Sequence, residues 1–402
     1  MATGACFQAL TRDWSRWMAG EHTLDAEGLT GLLVGAVDVE PTPSGVIPLR
    51  LSRRSRAQEP TNAAMGVASA AAGVHVRVLT GASWIALKVK ITRALPEGPD
   101  SREYPASFVA VVDGETAGRA DLDEGDVIRM REDGIRLEAG DVSAVRFDLG
   151  RPRDGRARTV EIWLPHTAQV ELYGAASDAP LSPAPSSATH WLHYGSSISH
   201  CLEADGPLGP WPQTAARNLG LRLTNMGLAG NAMLDPFAAR TIRDVQADVI
   251  SLKVGINIVN GDTMRARTFV PAVHGFLDTI REGHPSTPIV LVSAIACPIH
   301  EDTPGPTVHD GVRFRAARRS LDLDTGALTL AMTRRLLEQV AAERAATDPR
   351  LHFLDGLELL GPSDAERLYD DLHPDQKGYD LMAERFTALV RERADLATAF
   401  RL

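Results

Sequence analysis

Apolar residues follow two different patterns along this chain, and the change between them falls near residue 190. Before it, short runs rich in β-branched residues are separated by Gly, Pro and Asp turns. The clearest runs are 75–79, 84–91, 107–112, 143–149, 159–165 and 169–173. This length and spacing predict the strands of an all-β sandwich. The Asp113-Gly114 pair between two apolar runs predicts a tight hairpin.

After residue 190, apolar runs alternate with helical patterns. The runs are 190–194, 221–227, 248–254, 289–295 and 351–354, and the helical patterns are 211–220, 234–245, 263–282, 328–346 and 376–391. Strict alternation of strand and helix predicts a parallel sheet covered on both faces. The nearly continuous apolar runs at 249–252 and 289–292 are typical of buried parallel strands.

Two segments lack either pattern. Residues 175–189 are rich in Pro, Ser and Ala, which predicts a linker between an N-terminal domain, 1–174, and a second domain, 190–402. Residues 298–320 are long for a connection inside a compact domain, and loops of this length commonly act as lids or binding loops.

Composition narrows the classes of protein that this chain can be. Of its 402 residues 44% are hydrophobic, yet no apolar run approaches the ~20 residues of a membrane span. The first 20 residues place Arg12, Asp13 and Arg16 among apolar positions, which argues against a secretory signal and predicts a cytoplasmic protein. The formal charge of −10 and the absence of a long basic block argue against a nucleic-acid partner. Three cysteines without CxxC spacing predict neither a disulfide framework nor a zinc site.

The candidate chemistry lies where the second-domain strands end. Gly195-Ser196-Ser197 follows the first apolar run, a segment from Asn225 to Asn231 follows the next, and Asn257 follows the third. Asp370 and His373 lie near the end of the chain, three positions apart, so that one short turn brings their side chains together. A nucleophile, a base, a residue that orients the base and hydrogen-bond donors are what acyl transfer requires.

This ordered set of blocks resembles the SGNH (GDSL-type) hydrolases over roughly residues 190–395. The resemblance implies a three-layer α/β/α, flavodoxin-like catalytic domain, and several such enzymes carry a jelly-roll-like sandwich ahead of it. It implies Ser197 as nucleophile, His373 as base and Asp370 as its orienting carboxylate. The implied oxyanion hole consists of the backbone N–H groups of Ser197 and Gly230 and the side-chain amide of Asn257.

Neighbouring residues leave alternatives at three of these positions. Ser196 competes with Ser197 for the nucleophile, Asp371 with Asp370 for the carboxylate, and Gly227 with Gly230 for the oxyanion donor.

Two departures from the usual family pattern affect the bracing of the turn. Ser196 stands where the family has Asp, and Ile258 stands where an Asp often follows the third-block Asn.

Other polar residues lie close to these blocks. His200, His300 and Glu301 are candidates for lining the substrate site, whereas a structural role is expected for His193 and burial for Cys201. No His, Asp or Glu cluster has metal-ligand spacing, so neither a metal nor another cofactor is expected.

The sequence therefore predicts a serine esterase, a hydrolase that acts on a small-molecule ester through an acyl-serine intermediate. The preferred substrate is a small acyl group on a polar alcohol or sugar, by analogy with sugar deacetylases of similar domain arrangement. An acyltransferase would use the same triad and differ only in the acceptor. A non-catalytic carbohydrate-binding protein is a third reading, which the intact Ser197, Asn257, Asp370 and His373 argue against. No partner surface, membrane contact or oligomeric state follows from the sequence.

Overall fold

A computed structural model describes residues 8–11, 22–58, 62–96, 103–131, 134–152, 155–319 and 325–402. Most of the first 20 residues, from which a cytoplasmic location is expected, lie outside these ranges. The chain forms two compact units. The first contains the described residues of Met1–Arg50, with Ala68–Ser187 and Gly206–Leu208. The second contains those of Leu51–Val67, with Ala188–Asp205 and Gly209–Leu402.

The first unit is built from short β-strands in two sheets. Its strands are β1 Gln8–Thr11, β2 His22–Asp25, β3 Leu33–Val34, β4 Asp38–Pro41, β5 Val46–Leu49, β6 His75–Thr80, β7 Trp84–Pro96, β8 Ala106–Val112, β9 Glu115–Leu122, β10 Asp126–Arg131, β11 Gly134–Glu138, β12 Ser143–Asp148, β13 Arg158–Trp163, β14 Gln169–Ser177 and β15 Ser182–Pro183. One sheet has the order β1-β12-β7-β14-β5-β4, with β10 and β11 added to β7 and β2 added to β14. The other has the order β15-β6-β13-β8-β9, with β3 beside β6.

The core of this unit lies between the two sheets because alternate residues of their strands are apolar. Val76 and Val78 from β6 share one buried cluster with Leu87 and Val89 from β7 and with Phe108 from β8. Side chains two positions apart point to the same face of a strand, so the alternation in β6 and β7 places one face of each against this core. The predicted all-β first region is therefore confirmed.

Two predictions about this unit have different outcomes. The Asp113-Gly114 hairpin is confirmed: Val112 pairs with Glu115, and both turn residues have positive φ (48° and 90°), as this tight turn requires. The segment 175–189, in contrast, is largely not a free linker. Its first residues continue β14, and β15 pairs with β6. Arg77 also donates to the carbonyl oxygens of Ala184 and Pro185, which fixes this Pro-rich stretch to the first unit.

The second unit carries the alternating strands and helices. Its strands are β16 His190–Gly195, β17 Arg222–Gly227, β18 Val249–Lys253, β19 Ile289–Val292, β20 Thr307–His309, β21 Phe314–Ala316 and β22 Leu351–Leu354. The α-helices of the chain, in order, are α1 Ala26–Thr30, α2 Arg53–Arg56, α3 Asn62–Ser69, α4 Ser197–His200, α5 Trp211–Leu219, α6 Pro236–Asp244, α7 Ile256–Asn260, α8 Ala266–Gly283, α9 Leu330–Arg344, α10 Gln376–Glu392 and α11 Ala394–Phe400. Short 3₁₀ turns lie at Gly356–Glu358 and Pro362–Arg367.

The central sheet is parallel and has the order β17-β16-β18-β19-β22. Helices cover both faces, as the rings that flank β16 show. Trp191 stacks on Phe386 of α10 at a centroid distance of 5.1 Å, whereas Tyr194 packs against Phe276 of α8 at 5.3 Å. In chain order the strands are arranged 2-1-3-4-5, the flavodoxin-like arrangement, in which ligands bind at the carboxyl edge where the strand order reverses. The predicted three-layer α/β/α domain is confirmed.

Part of the second unit comes from an earlier stretch of the chain than predicted. Ser55, in α2, is buried; its hydroxyl donates to the carbonyl oxygen of Phe237 at 2.7 Å and accepts from Thr241 at 2.6 Å. Both partners belong to α6. The predicted first domain, 1–174, therefore includes residues that pack with the second unit, because nothing in 51–67 alone indicates which core its described residues join.

The segment after β19 contains more structure than expected. Within 298–320, β20 and β21 form a small antiparallel hairpin in which His309 pairs with Phe314. Across the described ranges, no helix is both long and apolar enough to cross a membrane.

Candidate active site

The turn after β16 presents Ser197 and buries Ser196. Ser196 caps α4, its hydroxyl accepting from the N–H of Ile198 at 3.3 Å, and it is 1% exposed. Gly195 allows the helix to turn so closely, because a Cβ at that position would lie 2.2 Å from Oγ of Ser199. Ser197, in contrast, is partly exposed at the first position of α4. Of the two candidate hydroxyl residues, Ser196 is buried and Ser197 is partly exposed.

His373 joins Ser197 to Asp370 through its two ring nitrogens. Its Nε2 lies 3.1 Å from Oγ of Ser197, and its Nδ1 lies 2.8 Å from Oδ2 of Asp370. The other carboxylate oxygen of Asp370 accepts from the backbone N–H groups of Leu372, at 3.0 Å, and His373, at 2.6 Å. The local turn thus fixes the carboxylate, which in turn orients the imidazole.

The neighbouring carboxylate, Asp371, points elsewhere. Its φ is +69°, a left-handed conformation that turns its side chain away from the direction taken by Asp370. The carboxylate pairs with Arg313 at 3.1 Å and with Arg315 at 2.5 Å. Asp371 therefore tethers the β20–β21 hairpin, and Asp370 is the carboxylate beside the imidazole.

The environment shifts the pKa values of both partners in the directions expected for an ion pair. Burial by itself lowers the pKa of His373, but the negative charges of Glu203 and Asp370 outweigh it and raise that pKa above 6.5. Burial acts to raise the pKa of Asp370, but hydrogen bonds and charge from His373 and the two backbone N–H groups lower it overall. The carboxylate remains ionised while the imidazole titrates.

Glu203 was not among the residues predicted for this site. Its Oε1 lies 4.0 Å from Nδ1 of His373, and its Oε2 accepts from the hydroxyl of Tyr379 at 2.8 Å. The side chain is only 10% exposed. It lies in an irregular segment just after α4 that carries no motif, so no local sequence signal identifies it.

The two glycines considered as oxyanion donors have different physical roles. A Cβ at Gly227 would lie 2.4 Å from the backbone N of His200, so this glycine allows α4 to pack against the end of β17. A Cβ at Gly230 would meet no described atom within 4 Å, and the requirement there is its φ of +72°. Gly230 thus lies on the open side of the turn and Gly227 inside it.

Asn257 lies at the start of α7, directly after β18. Its side-chain oxygen accepts from the N–H of Ala232 at 3.0 Å, which fixes the orientation of the amide and ties α7 to the segment that contains Gly230. An amide whose oxygen is engaged in this way can direct its NH₂ group toward a substrate. β16 and β18 are neighbours, so Ser197 and Asn257 follow adjacent strands at the same sheet edge.

The β20–β21 hairpin contacts the base. The ring of Phe314 lies edge-on to that of His373, with centroids 5.6 Å apart. The backbone N–H of Phe314 donates to the carbonyl oxygen of Asp370 at 3.2 Å. The predicted lid or binding loop is thus located beside the proposed base.

The three predicted substrate-lining residues all have buried or internally bonded side chains. His200 is 1% exposed at the end of α4. His300 is 0% exposed, with its ring nitrogens 3.0 Å from the carbonyl oxygen of Thr303 and 2.7 Å from Oγ1 of Thr307. Glu301 is paired with Arg334 and accepts from the N–H of Cys297 at 2.9 Å. These contacts brace the loop that carries the hairpin.

Buried polar residues beneath the site have structural partners. The ring nitrogens of His193 lie 2.7 Å from Oγ of Ser251 and 2.8 Å from Oγ of Ser199, and burial lowers its pKa to about 3. The expected structural role of His193 is confirmed, and Cys201 is fully buried as expected. Among the residues that the structure describes, no group of three or more side chains could hold a metal ion.

Residues 193–381 match the GDSL-like lipase/acylhydrolase family. The segment is a GDSL-like lipase/acylhydrolase domain. It contains all of the site residues described above, and the enzyme is accordingly of the GDSL type that acts on ester bonds.

Solved structures resemble the whole chain of this GDSL-type enzyme. The salicylyl-acyltransferase SsfX3 from a tetracycline biosynthetic pathway is 27% identical, with a TM-score of 0.74 over 98% of this chain and 99% of that one. A putative GDSL-like lipase from Bacteroides ovatus is 20% identical, with a TM-score of 0.63 over 92% and 97%. A family two carbohydrate esterase from Cellvibrio japonicus is 12% identical, with a TM-score of 0.56 over 97% and 100%. No curated protein sequence matches the chain significantly.

Proposed function

We propose that this enzyme is a serine esterase in which Ser197 forms an acyl-serine intermediate. The observation that supports the proposal is the continuous hydrogen-bonded arrangement of Ser197, His373 and Asp370, with distances of 3.1 Å and 2.8 Å. A serine hydroxyl becomes a useful nucleophile when an adjacent imidazole accepts its proton.

The reaction follows from these positions. Oγ of Ser197 attacks the ester carbonyl carbon while Nε2 of His373 takes the hydroxyl proton. The N–H groups of Ser197 and Gly230 and the amide of Asn257 stabilise the negative oxygen, each donor contributing about 3–4 kcal/mol in comparable sites. Collapse of the intermediate breaks the carbon–oxygen bond to the leaving alcohol, which receives the proton from His373. Water activated by the same imidazole then releases the acid and restores Ser197.

For the substrate we propose a small acyl group on a polar alcohol or sugar. The support is analogy of architecture: the family two carbohydrate esterases share the fold over nearly the whole chain. The buried, unpaired thiols of Cys201 and Cys297 suit a reducing compartment, and we place the enzyme in the cytoplasm.

Acyl transfer is the second candidate, and one observation favours it. The salicylyl-acyltransferase is similar to this chain over essentially its full length at 27% identity. Transfer needs no change in the catalytic residues, because the acyl-enzyme need only meet an alcohol or amine before water. The acceptor therefore decides between the two reactions.

Labelling by a fluorophosphonate probe tests the nucleophile. Ser197→Ala should abolish labelling and lower kcat about 10³-fold or more, while Ser196→Ala, the matched control one position away, should still be labelled. Labelling that survives in Ser197→Ala and disappears in Ser196→Ala would assign the nucleophile to Ser196.

Product analysis tests the acceptor. A panel of p-nitrophenyl esters of increasing chain length and acetylated sugars would be assayed with and without added alcohols and amines. Free acid as the dominant product at all acceptor concentrations supports the esterase. Acylated acceptor as the dominant product would establish transfer instead.

A further inference from the structure

The imidazole of His373 faces two carboxylates rather than one. Asp370 is 2.8 Å from Nδ1, within the same turn. Glu203 approaches the same nitrogen to 4.0 Å from a different part of the chain. It reaches this position because Cys201 ends α4 in a left-handed conformation, with φ of +59°, and the N–H of Ala204 returns to the carbonyl oxygen of Cys201 at 3.1 Å.

The orientation of Glu203 is fixed rather than incidental. Tyr379, fully buried in α10, donates its hydroxyl to Oε2 at 2.8 Å, which leaves Oε1 toward His373. A surface carboxylate 4 Å from an imidazole gains little, because water screens it. Glu203 and His373 are only 10% and 12% exposed, so their charges interact through a medium of lower dielectric constant than water.

The elements packed around His373 present mainly uncharged groups to its ring. The catalytic turn supplies Asp370 and the ring of Tyr369, α4 supplies Ser197, and the hairpin supplies the ring of Phe314. The guanidinium groups of the hairpin are paired with Asp371, and the thiol of Cys297 bonds to the carbonyl oxygen of Asp371. Among the residues that the structure describes, the charges that face the imidazole directly are therefore the carboxylates of Asp370 and Glu203.

We propose that Glu203 is a positioning residue that shares with Asp370 the stabilisation of the His373 imidazolium, and that Tyr379 holds its carboxylate in place. The inference rests on the proposed function, in which that imidazolium forms when Ser197 attacks. The raised pKa of His373 agrees with it, since after burial, which acts in the opposite direction, the charge of Glu203 is the largest cause.

Two substitutions separate the charge from the hydrogen bond. Glu203→Gln removes the negative charge and keeps an oxygen that accepts from Tyr379. Tyr379→Phe removes the hydrogen bond and keeps the charge. A role limited to bracing α10 would make Tyr379→Phe the more harmful change and would leave the titration of His373 unaltered in Glu203→Gln.

The experiment uses the full chain, with folding of each variant checked by circular dichroism. The titration of His373 is followed by the NMR signals of its ring protons, assigned with His373→Gln, and kcat/KM for a small activated ester is measured from pH 5 to 9. In Glu203→Gln, both the ring titration and the acid limb of kcat/KM should move to lower pH. In Tyr379→Phe they should move less. A titration in Glu203→Gln that superimposes on that of the parent enzyme would overturn the inference.

Asp370→Asn gives a second, independent measure. Loss of the orienting carboxylate costs about 10⁴-fold in kcat where no other carboxylate is near the imidazole. With Glu203 in place we expect kcat to decrease about 10²-fold. In the double variant with Glu203→Gln, the decrease in kcat should reach the full ~10⁴-fold. A 10⁴-fold loss in Asp370→Asn alone would contradict the proposal. The NMR titration needs no turnover, so a shift seen in an enzyme without esterase activity would refute the proposed function and leave the role of Glu203 standing.

Discussion

The buried ammonium group of Lys253 should lower the free energy of unfolding at neutral pH. It is the last residue of β18, paired with Val292, and is 2% exposed. Its Nζ makes no hydrogen bond to any residue that the structure describes. Burial is the main cause that lowers its pKa from 10.5 to about 8; Cys201 acts in the opposite direction, and the charge of Arg334 lowers the pKa further. The folded state therefore holds this proton less tightly than the unfolded chain does.

The size of the effect follows from linkage. Each tenfold change in the ionisation equilibrium corresponds to about 1.4 kcal/mol, so the lowered pKa costs roughly 3 kcal/mol of unfolding free energy at pH 7. Between pH 8 and 10.5 the unfolded chain binds more protons than the folded one, and stability rises with pH across that window. Lys253→Met, of similar length and volume, removes the charge with little loss of packing.

Urea unfolding measures the prediction directly. At pH 7 the midpoint for Lys253→Met should increase by the equivalent of about 3 kcal/mol with an unchanged m-value, and the difference should shrink as the pH approaches 10.5. Lys377→Met, at an exposed position of α10, is the matched control and should change stability by less than about 0.5 kcal/mol. Equal stability of Lys253→Met and the parent at pH 7, with parallel pH dependence, would refute the reasoning.

Three further predictions concern the site and its support. Asp370→Asn should lower kcat about 10²-fold, whereas Asp371→Asn, which loses only partly exposed ion pairs with the hairpin, should lower it less than about 10-fold. Steady-state kinetics of the two variants measure this difference, and the reverse order would move the orienting role to Asp371. Because the pKa of His373 is raised and the base must be neutral, kcat/KM at pH 6.5 should be less than half its plateau, and a plateau already reached at that pH would contradict the assignment. Ser55→Ala should lower the unfolding free energy of the second unit by about 1–2 kcal/mol, because Thr241 and the carbonyl of Phe237 lose a buried partner. Urea unfolding measures this loss, and an unchanged midpoint would show that α2 does not support the unit.

The strands that were predicted correctly are those whose burial produces a recognisable pattern of apolar residues in the sequence. β18 and β19 are buried on both faces, so their sequences are continuous apolar runs. β10 and β11 were missed, and the reason is visible in β11, where Ile135 and Leu137 are more than 60% exposed and Arg136 between them is exposed as well. Alternation identifies a strand only when one of its faces is buried.

The residues proposed for the site lie on sequence motifs, and only the family resemblance ranked them above their close neighbours. Asp370 and Asp371 are adjacent, and only the positive φ of Asp371 separates their directions. Gly227 and Gly230 differ in whether a Cβ would clash, which depends on how closely α4 packs. Glu203 reaches the base entirely through tertiary structure, and no spacing rule connects it with a residue 170 positions away.

The hydrogen bond between Ser197 and His373 closes a loop of 176 residues. Contacts this distant in sequence form late in folding, because the entropy of the intervening chain is lost before the contact is gained. During synthesis, at about 5–20 residues per second, the proposed nucleophile Ser197 leaves the ribosome long before the proposed base His373. The nascent protein therefore remains inert until the segment that carries Asp370, His373 and α10 has docked on the sheet. Recovery of turnover during refolding should for the same reason lag behind recovery of helical signal.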